Sequence, residues 1–225
     1  MNDSHSYHSA AMVQALATGD LDHPPGTGRR ERRAAETRLR LFRCALQLFA
    51  ERGFSAVTVE EITEAADVGK GTFFNYFESK DHVLGVMAEI QLGKVKEAVL
   101  KAGQGKQTIH SVMHRLALRL AEEPGRSPSL ARAVISFFQA NECVRATIAR
   151  NMQEGRRMIA EVVEAGQIRG EIDPRLNKDR VALQLQQSIM GTVIFWSLHG
   201  EPALDHCMED SFQHFWRAIA VSSKK

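Results

Sequence analysis

The 225-residue sequence predicts an all-α protein with about nine helices. Only 6 prolines interrupt long runs of Ala, Leu, Glu, Arg and Gln, which are residues that favour helices. No segment alternates convincingly between apolar and polar residues with the period of two that a half-buried strand requires. Apolar residues instead recur at intervals of three and four, the spacing of one helix face.

The chain begins with an extension and a basic helix. Residues 1–28 end in DHPPGTG and contain several Ser and His, which predicts a mostly disordered segment. From about Arg32 the apolar residues take helix-face spacing, until Gly53 supplies a stop. Seven arginines and two glutamates give residues 29–43 a net charge of +5. This cluster suits phosphate contact, although a solvated helix face explains it equally well.

Two short helices joined by a tight turn are predicted next. Thr58 stands three residues before Glu61, which is the spacing of a capping box, so Thr58 starts the first helix. Asp67 and Gly69 follow in the segment ADVG, where both residues tolerate turn conformations. The second short helix is predicted at about 70–77.

Six further helices account for the rest of the chain. A long one begins in ESKD and ends at about Ala102, and amphipathic periodicity then predicts five more. These are expected at about 107–122, 128–140 and 142–166, from Asn177 or Asp179 to about Leu198, and at about 205–221.

Composition predicts a cytoplasmic protein without a membrane partner. No apolar run approaches the roughly 20 residues of a membrane-spanning helix. The N-terminus lacks a basic region followed by an apolar one. Cys44, Cys143 and Cys207 show no paired spacing, which indicates reduced thiols or simply small buried apolar side chains.

The segment 70–77 has two different sides when it is placed on a helical wheel. Phe73 and Phe77 lie four residues apart on one side, with Phe74 and Lys70 at its edge. The other side holds Gly71, Thr72 and Asn75, flanked by Tyr76. Anchored phenylalanines and a small polar face are typical of a helix-turn-helix motif, whose second helix enters the major groove. A helical hairpin inside a bundle is the alternative, but it does not explain an exposed face that avoids long charged side chains.

The segment GFSAVTVEEITEAADVGKGTFFNYFESKDHVL, residues 53–84, resembles the DNA-binding domain of TetR-family transcriptional regulators. The resemblance implies a three-helix helix-turn-helix domain at 29–80, followed by a six-helix bundle for effector binding and dimerisation at 81–225. Asp67 stands where the family prefers Gly, and Gly69 where it prefers Ser or Ala. Phe74 replaces the usual Tyr and therefore has no hydroxyl for a phosphate.

The resemblance and the helix geometry together imply which residues contact double-stranded DNA. Phosphate contacts are assigned mainly to Thr58, Thr72, Tyr76 and Lys80. The residues nearest the base edges are Lys70, Gly71, Phe74 and Asn75. Gly71 allows close backbone approach, Lys70 can donate to guanine, and Asn75 can pair with adenine. The arginine cluster would add attraction that depends on salt but not on sequence.

The resemblance also implies a homodimer that binds a palindromic operator, because one short recognition helix makes few contacts. In the family the last two helices form the dimer interface. The corresponding candidates here are Leu185, Ile189, Trp196 and Phe215. A buried core within one chain is the alternative explanation for their helical spacing.

A small-molecule effector that releases a repressor from its operator is the remaining implication of the resemblance. Candidate pocket residues are Met113, His114 and Phe137, although Met and Phe at helical spacing are also typical of a plain core. The effector half varies within the family, so the resemblance implies no particular effector.

A helical enzyme with a metal site is the rival interpretation. His110 and His114 have the i, i+4 spacing of a metal pair, and LDHCMED at 204–210 contains other ligand types. An enzyme of this class would need paired carboxylate and histidine motifs on facing helices, and the sequence has none. It also lacks a phosphate loop, a nucleophile elbow and a dinucleotide fingerprint. We therefore expect no catalytic residues, no metal and no cofactor.

Overall fold

A computed structural model describes residues 29–139 and 142–221. Within these ranges the chain forms nine α-helices, labelled α1 to α9, and one isolated antiparallel bridge between Ile172 and Ala220. The all-α prediction is therefore confirmed. The extension predicted at 1–28 lies outside the described residues. None of the described helices is both long and apolar enough to cross a membrane.

The helices follow the sequence in the predicted order. Their bounds are α1 Arg29–Arg52, α2 Val59–Ala65, α3 Lys70–Phe74, α4 Lys80–Gln104, α5 Ile109–Ala121, α6 Pro128–Phe138, α7 Glu142–Ile168, α8 Lys178–His199 and α9 Leu204–Ile219. Single 3-10 turns at Phe54–Ala56 and Pro124–Arg126 precede α2 and α6.

The chain divides into two compact units between Gly93 and Lys94, inside α4. The first unit contains α1 to α3 and the first half of α4, and the second contains the remaining helices. The domain division predicted at residue 80 coincides with the start of α4. The boundary between the compact units lies further along the same helix.

The first unit has a continuous apolar core from α1 to α4. The largest of its almost completely buried apolar side chains are Leu41, Phe42, Leu46, Phe49, Ile62, Phe73, Phe77, Leu84 and Ile90. Burial of one such side chain contributes about 1.5–3 kcal/mol. This packing matters because α2 and α3, with 7 and 5 residues, are too short to be stable alone.

Side-chain caps and loop hydrogen bonds fix the ends of the helices in the second unit. Asn177 Oδ1 accepts the backbone N–H groups of Asp179 and Arg180 at 3.0 Å each, so Asn177 is the N-cap of α8. Gly200 ends α8 in the left-handed region, with φ of 81°. Asp173 donates its backbone N–H to the carbonyl of Ile219 at 2.9 Å, which ties the α7–α8 loop to the end of α9.

A buried lysine joins α4 to the end of α5 in the second unit. Lys94 Nζ donates to Glu123 Oε2 at 2.6 Å and to Glu122 Oε2 at 3.2 Å. It also donates to the backbone carbonyl of Arg119. These oxygens compensate the cost of removing the ammonium from water.

Candidate nucleic-acid interface

A complete capping box sets the start of α2. The Thr58 backbone N–H donates to Glu61 Oε2 at 2.8 Å, and Thr58 Oγ1 accepts the Glu61 backbone N–H at 3.3 Å. Arg52 Nη2 lies 2.7 Å from Glu61 Oε1 and holds the same carboxylate from α1. The predicted cap is confirmed. The Thr58 hydroxyl thus already has Glu61 as its partner. The phosphate contact assigned to Thr58 stays a prediction.

The turn between α2 and α3 depends on a left-handed residue. Asp67 has φ of 51°, and within the described residues no other non-glycine residue has a positive φ. The backbone N–H of Val68 donates to the carbonyl of Thr63 at 3.0 Å and closes the turn. Asp tolerates this conformation better than most side chains, so its replacement of the usual glycine preserves the motif.

Buried phenylalanines anchor α3 as the helical wheel predicts. Phe73 and Phe77 are almost completely buried, and their ring centroids lie 5.4 Å apart. Phe74 packs edge-on against Phe73 at 5.5 Å but remains 50% exposed. The helix itself ends at Phe74 rather than at Phe77. The N–H groups of Tyr76 and Phe77 both bond to the carbonyl of Phe73 and form a turn instead.

The opposite side of α3 is open. A Cβ added to Gly71 would meet no atom of the described residues within 4 Å, so packing among them does not require glycine there. Glycine in a helix costs about 1 kcal/mol relative to alanine. Asn75 is exposed as the C-cap, and Thr72 and Tyr76 are half-buried beside it. This face of α3 is therefore accessible, and it holds a glycine, Gly71, that lowers the stability of the helix.

Lys70 and Glu60 form an ion pair across the turn. Lys70 Nζ donates to Glu60 Oε1, and their side chains are 58% and 60% exposed. The hydrogen bond from Lys70 lowers the pKa of the Glu60 carboxyl. The lysine assigned to a base edge thus already has a partner on α2.

Lys80 holds the loop that precedes α2. Its Nζ donates to the carbonyls of Phe54 and Val57 at 2.9 Å each and lies 4.5 Å from the centroid of the Phe54 ring. An ammonium has three donors, so one remains for the phosphate contact assigned to Lys80. The sequence pattern did not indicate this role in the loop.

One arginine of the basic cluster is not on the surface. Arg38 is buried, with its guanidinium carbon 5.5 Å from the centroid of the Phe77 ring. Burial lowers the pKa of Arg38, while the charge of Glu89 raises it. The other arginines of the cluster are exposed: Arg29, Arg30, Arg32, Arg33, Arg40 and Arg43. Arg38 must therefore be excluded from the predicted phosphate-contacting set.

The candidate effector residues lie in different environments. Met113 is completely buried on α5, whereas Phe137 on α6 is half-buried. His114 bonds through Nε2 to Glu209 Oε2, and this contact lowers the pKa of Glu209. Successive helix residues point about 100° apart, so Met113 and His114 face different neighbours. A shared pocket for the three residues stays a prediction.

The histidine pair belongs to an aromatic cluster. The rings of His110 and His114 stack with centroids 5.9 Å apart and contact the α9 ring of Phe212. Trp216 approaches His110 edge-on at 4.8 Å. Within residues 29–139 and 142–221, no group of three or more His, Cys, Asp or Glu side chains is placed to hold a metal ion.

The predicted interface residues differ in exposure within the single chain. Leu185 and Trp196 are only 1% and 7% exposed, so they offer little surface to a partner, and their place in an interface stays a prediction. Ile189 and Phe215 are half-buried. Periodicity marked the apolar face correctly but did not distinguish a core from an interface. The exposed apolar surface of α8 is formed by Ile194, Phe195 and Leu198, next to Gly191.

The first unit has the defining parts of a helix-turn-helix DNA-binding protein: a capped helix, a tight turn, and a second helix anchored on one side. The chain belongs to the tetR family of bacterial regulatory proteins, whose model matches residues 41–87. A second model, described as the tetracyclin repressor-like C-terminal domain, matches residues 129–212. The resemblance in the sequence is therefore confirmed, and it extends to the second unit.

Curated relatives are transcriptional regulators. The chain is 30% identical over 151 residues to TcmR of Streptomyces glaucescens, across 63% of this chain and 65% of that protein. It thus spans slightly less than two thirds of the length of TcmR. The transcriptional repressor DhaR of Mycobacterium sp. (strain GP1) is 25% identical over 64% of this chain and 76% of its own.

Solved structures share the fold. FadR of Bacillus subtilis, in complex with stearoyl-CoA, has a TM-score of 0.62 at 18% identity and covers 80% of this chain and 98% of that one. FadR of Thermus thermophilus, in complex with lauroyl-CoA, has a TM-score of 0.56 at 25% identity and covers 83% and 97%.

Proposed function

We propose that this chain is a ligand-responsive repressor that binds a palindromic operator as a homodimer and leaves it when a small-molecule effector binds. The open face of α3 is the observation that carries the proposal. Gly71 has free space around it, and Phe74 and Asn75 project from a helix that Phe73 and Phe77 hold in place. A rigidly anchored helix with an accessible polar face can enter a major groove without refolding.

Base reading would come from α3 and phosphate binding from its surroundings. Asn75 can bond to adenine, and Phe74 can contact a thymine methyl group. Thr72, Tyr76 and the third donor of Lys80 would contact phosphates, together with the exposed arginines of α1. Such contacts position the protein on the duplex, whereas the base-edge contacts select the sequence.

The dimer would form through the exposed apolar surface of α8. Phe195 is 71% exposed and Leu198 is 62% exposed, and Ile194 lies beside them. A Cβ at Gly191 would also meet nothing within 4 Å in the part of the chain that the structure describes, which leaves room for a close helix approach. A two-fold axis would bring the same surface of two copies together, as the symmetry of a palindrome requires.

The effector would act by a shift in populations. A compound that binds one state of the second unit more tightly by a few kcal/mol is enough to change operator occupancy. Lauroyl-CoA is the first probe for this effect, because the similar FadR of Thermus thermophilus binds it. We expect an effective compound to lower the affinity of the protein for its operator. If lauroyl-CoA leaves this affinity unchanged, other small molecules are screened in the same assay.

Selection of bound duplexes from a random DNA pool, at a stated moderate salt concentration, tests the proposal. Purified full-length protein should enrich an inverted repeat whose half-sites lie about one helical turn apart, roughly 34–36 Å, or a multiple of it. Recovery of no motif, with only salt-sensitive bulk binding, would contradict a sequence-specific repressor.

A further inference from the structure

We propose that Glu60 is a specificity-determining residue of the DNA-reading surface, because it withholds the Lys70 ammonium from phosphates. This inference rests on the DNA-binding function proposed above. Glu60 belongs to the first turn of α2, and Lys70 is the first residue of α3. Their ion pair spans the turn of the motif and places a carboxylate beside the residue that would read a guanine.

The pair lies at the surface and can rearrange. Both side chains are more than half exposed, and exposed ion pairs contribute only about 0–1 kcal/mol. A glutamate carboxylate is ionised at neutral pH, and the hydrogen bond from Lys70 lowers the pKa of Glu60 further. A negative charge therefore stands at the surface that would meet a polyanion.

Specific and non-specific DNA would affect this pair differently. Guanine O6 and N7 are neutral acceptors, and the three donors of the ammonium allow Lys70 to bond to a guanine while it keeps Glu60. A phosphate is an anion, so it competes with Glu60 for Lys70 and is repelled by the carboxylate. Glu60 would thus penalise phosphate contacts more than base contacts, which raises discrimination by weakening the wrong complexes.

The test compares Glu60→Gln with wild type in the full-length chain. Affinity is measured for the selected operator duplex and for an unrelated duplex over a range of salt concentrations. Freeing Lys70 for one phosphate should raise affinity for the unrelated duplex about threefold and steepen its logarithmic salt dependence by roughly 0.9 per protomer. The ratio of the two affinities should fall, because the operator already has a base contact for Lys70.

Two control variants separate this effect from simple loss of charge. Glu64→Gln removes the same charge from an exposed position one turn later on α2, and it should leave the affinity ratio unchanged. In a Lys70→Met background, Glu60→Gln should no longer alter the ratio, because Lys70 carries the effect.

Three results would overturn the inference: equal gains on both duplexes, identical behaviour of Glu60→Gln and Glu64→Gln, or an unchanged Glu60 effect in the Lys70→Met background. In each of these cases wild type still prefers its operator, and the proposed function stands. A wild-type chain that prefers no duplex contradicts the DNA-binding function itself, and the inference with it.

Discussion

The guanidinium carbon of Arg38 lies 5.5 Å from the centroid of the Phe77 ring, so a cation from α1 covers an aromatic anchor that follows α3. The Arg38 side chain is buried, and its Nε has no hydrogen-bond partner among the residues that the structure describes. Its aliphatic stem and planar head contribute by packing and by attraction to the ring, alongside the favourable charge of Glu89. This contact connects the stability of α1 to the position of α3.

Arg38→Ala should lower the free energy of unfolding by about 2 kcal/mol, because it removes a desolvated cation–π contact and leaves a space beside Phe77. Arg38→Met should retain most of that stability, since an apolar side chain of similar length avoids burying a charge. Urea denaturation measures both values. An equal loss for the two variants would show that the charge, not the packing, is what matters.

The capping box predicts that the Thr58 hydroxyl contributes to the stability of the folded chain. Thr58→Ala should lower the free energy of unfolding by about 1 kcal/mol, because the first turn of α2 loses its side-chain acceptor. Thr58→Ser keeps a hydroxyl in the same place and should remain close to wild type. If serine is as destabilising as alanine, the hydroxyl is not the stabilising group.

The α8 surface predicts a change in oligomeric state. Leu198→Asp places a charge in the proposed interface twice, once from each copy, and should raise the dimer dissociation constant at least about a hundredfold. Leu100→Asp is a matched control, because Leu100 and Leu198 are both 62% exposed. Analytical ultracentrifugation should show monomers for the first variant and wild-type dimers for the second. Dimerisation that survives Leu198→Asp would contradict this interface.

The lowered pKa of Asp173 predicts that this carboxylate stabilises the folded state and that the stabilisation is lost in acid. Hydrogen bonds from the side chain and the backbone of Arg175 lower the pKa of Asp173 from 3.8 to about 2. The folded state therefore favours the ionised carboxylate, and the stabilisation is complete above pH 4 and lost as the pH falls towards 2. Asp173→Asn should be less stable than wild type at neutral pH, with a difference that vanishes in acid.

Urea denaturation between pH 2 and pH 7 measures this pH dependence. Asp210→Asn, an exposed carboxylate on α9, controls for the change in net charge. A difference between wild type and Asp173→Asn that stays constant over the range would contradict the assigned pKa.

The features of the motif that depend on neighbouring residues could be predicted from the sequence. The capping box, the left-handed Asp67 and the buried faces of Phe73 and Phe77 depend on residues within one turn of each other. Each of these is set by backbone geometry and short-range packing. Their physical causes could therefore be read before any tertiary contact was known.

Features that depend on tertiary contacts could not be read in this way. Charge counting placed Arg38 in a surface cluster, although packing against Phe77 buries it. Helical spacing placed Leu185 and Trp196 on the apolar face of their helix. It did not indicate whether residues of the same chain or of a second copy bury that face. The pairing of Glu60 with Lys70, ten residues away, depends on the geometry of the intervening turn.

The most direct test of the central claim, that the open face of α3 contacts DNA, is the operator affinity of Gly71→Ala. Among the described residues, neither Gly71 nor Gly103 of α4 has neighbours within 4 Å of an added Cβ, so Gly103→Ala is a matched control. Both variants should be at least as stable as wild type, by up to about 1 kcal/mol. We predict that Gly71→Ala loses at least about tenfold in operator affinity, because its methyl group prevents close approach to the duplex, whereas Gly103→Ala binds normally. Unchanged operator binding by a stable Gly71→Ala variant would contradict the claim.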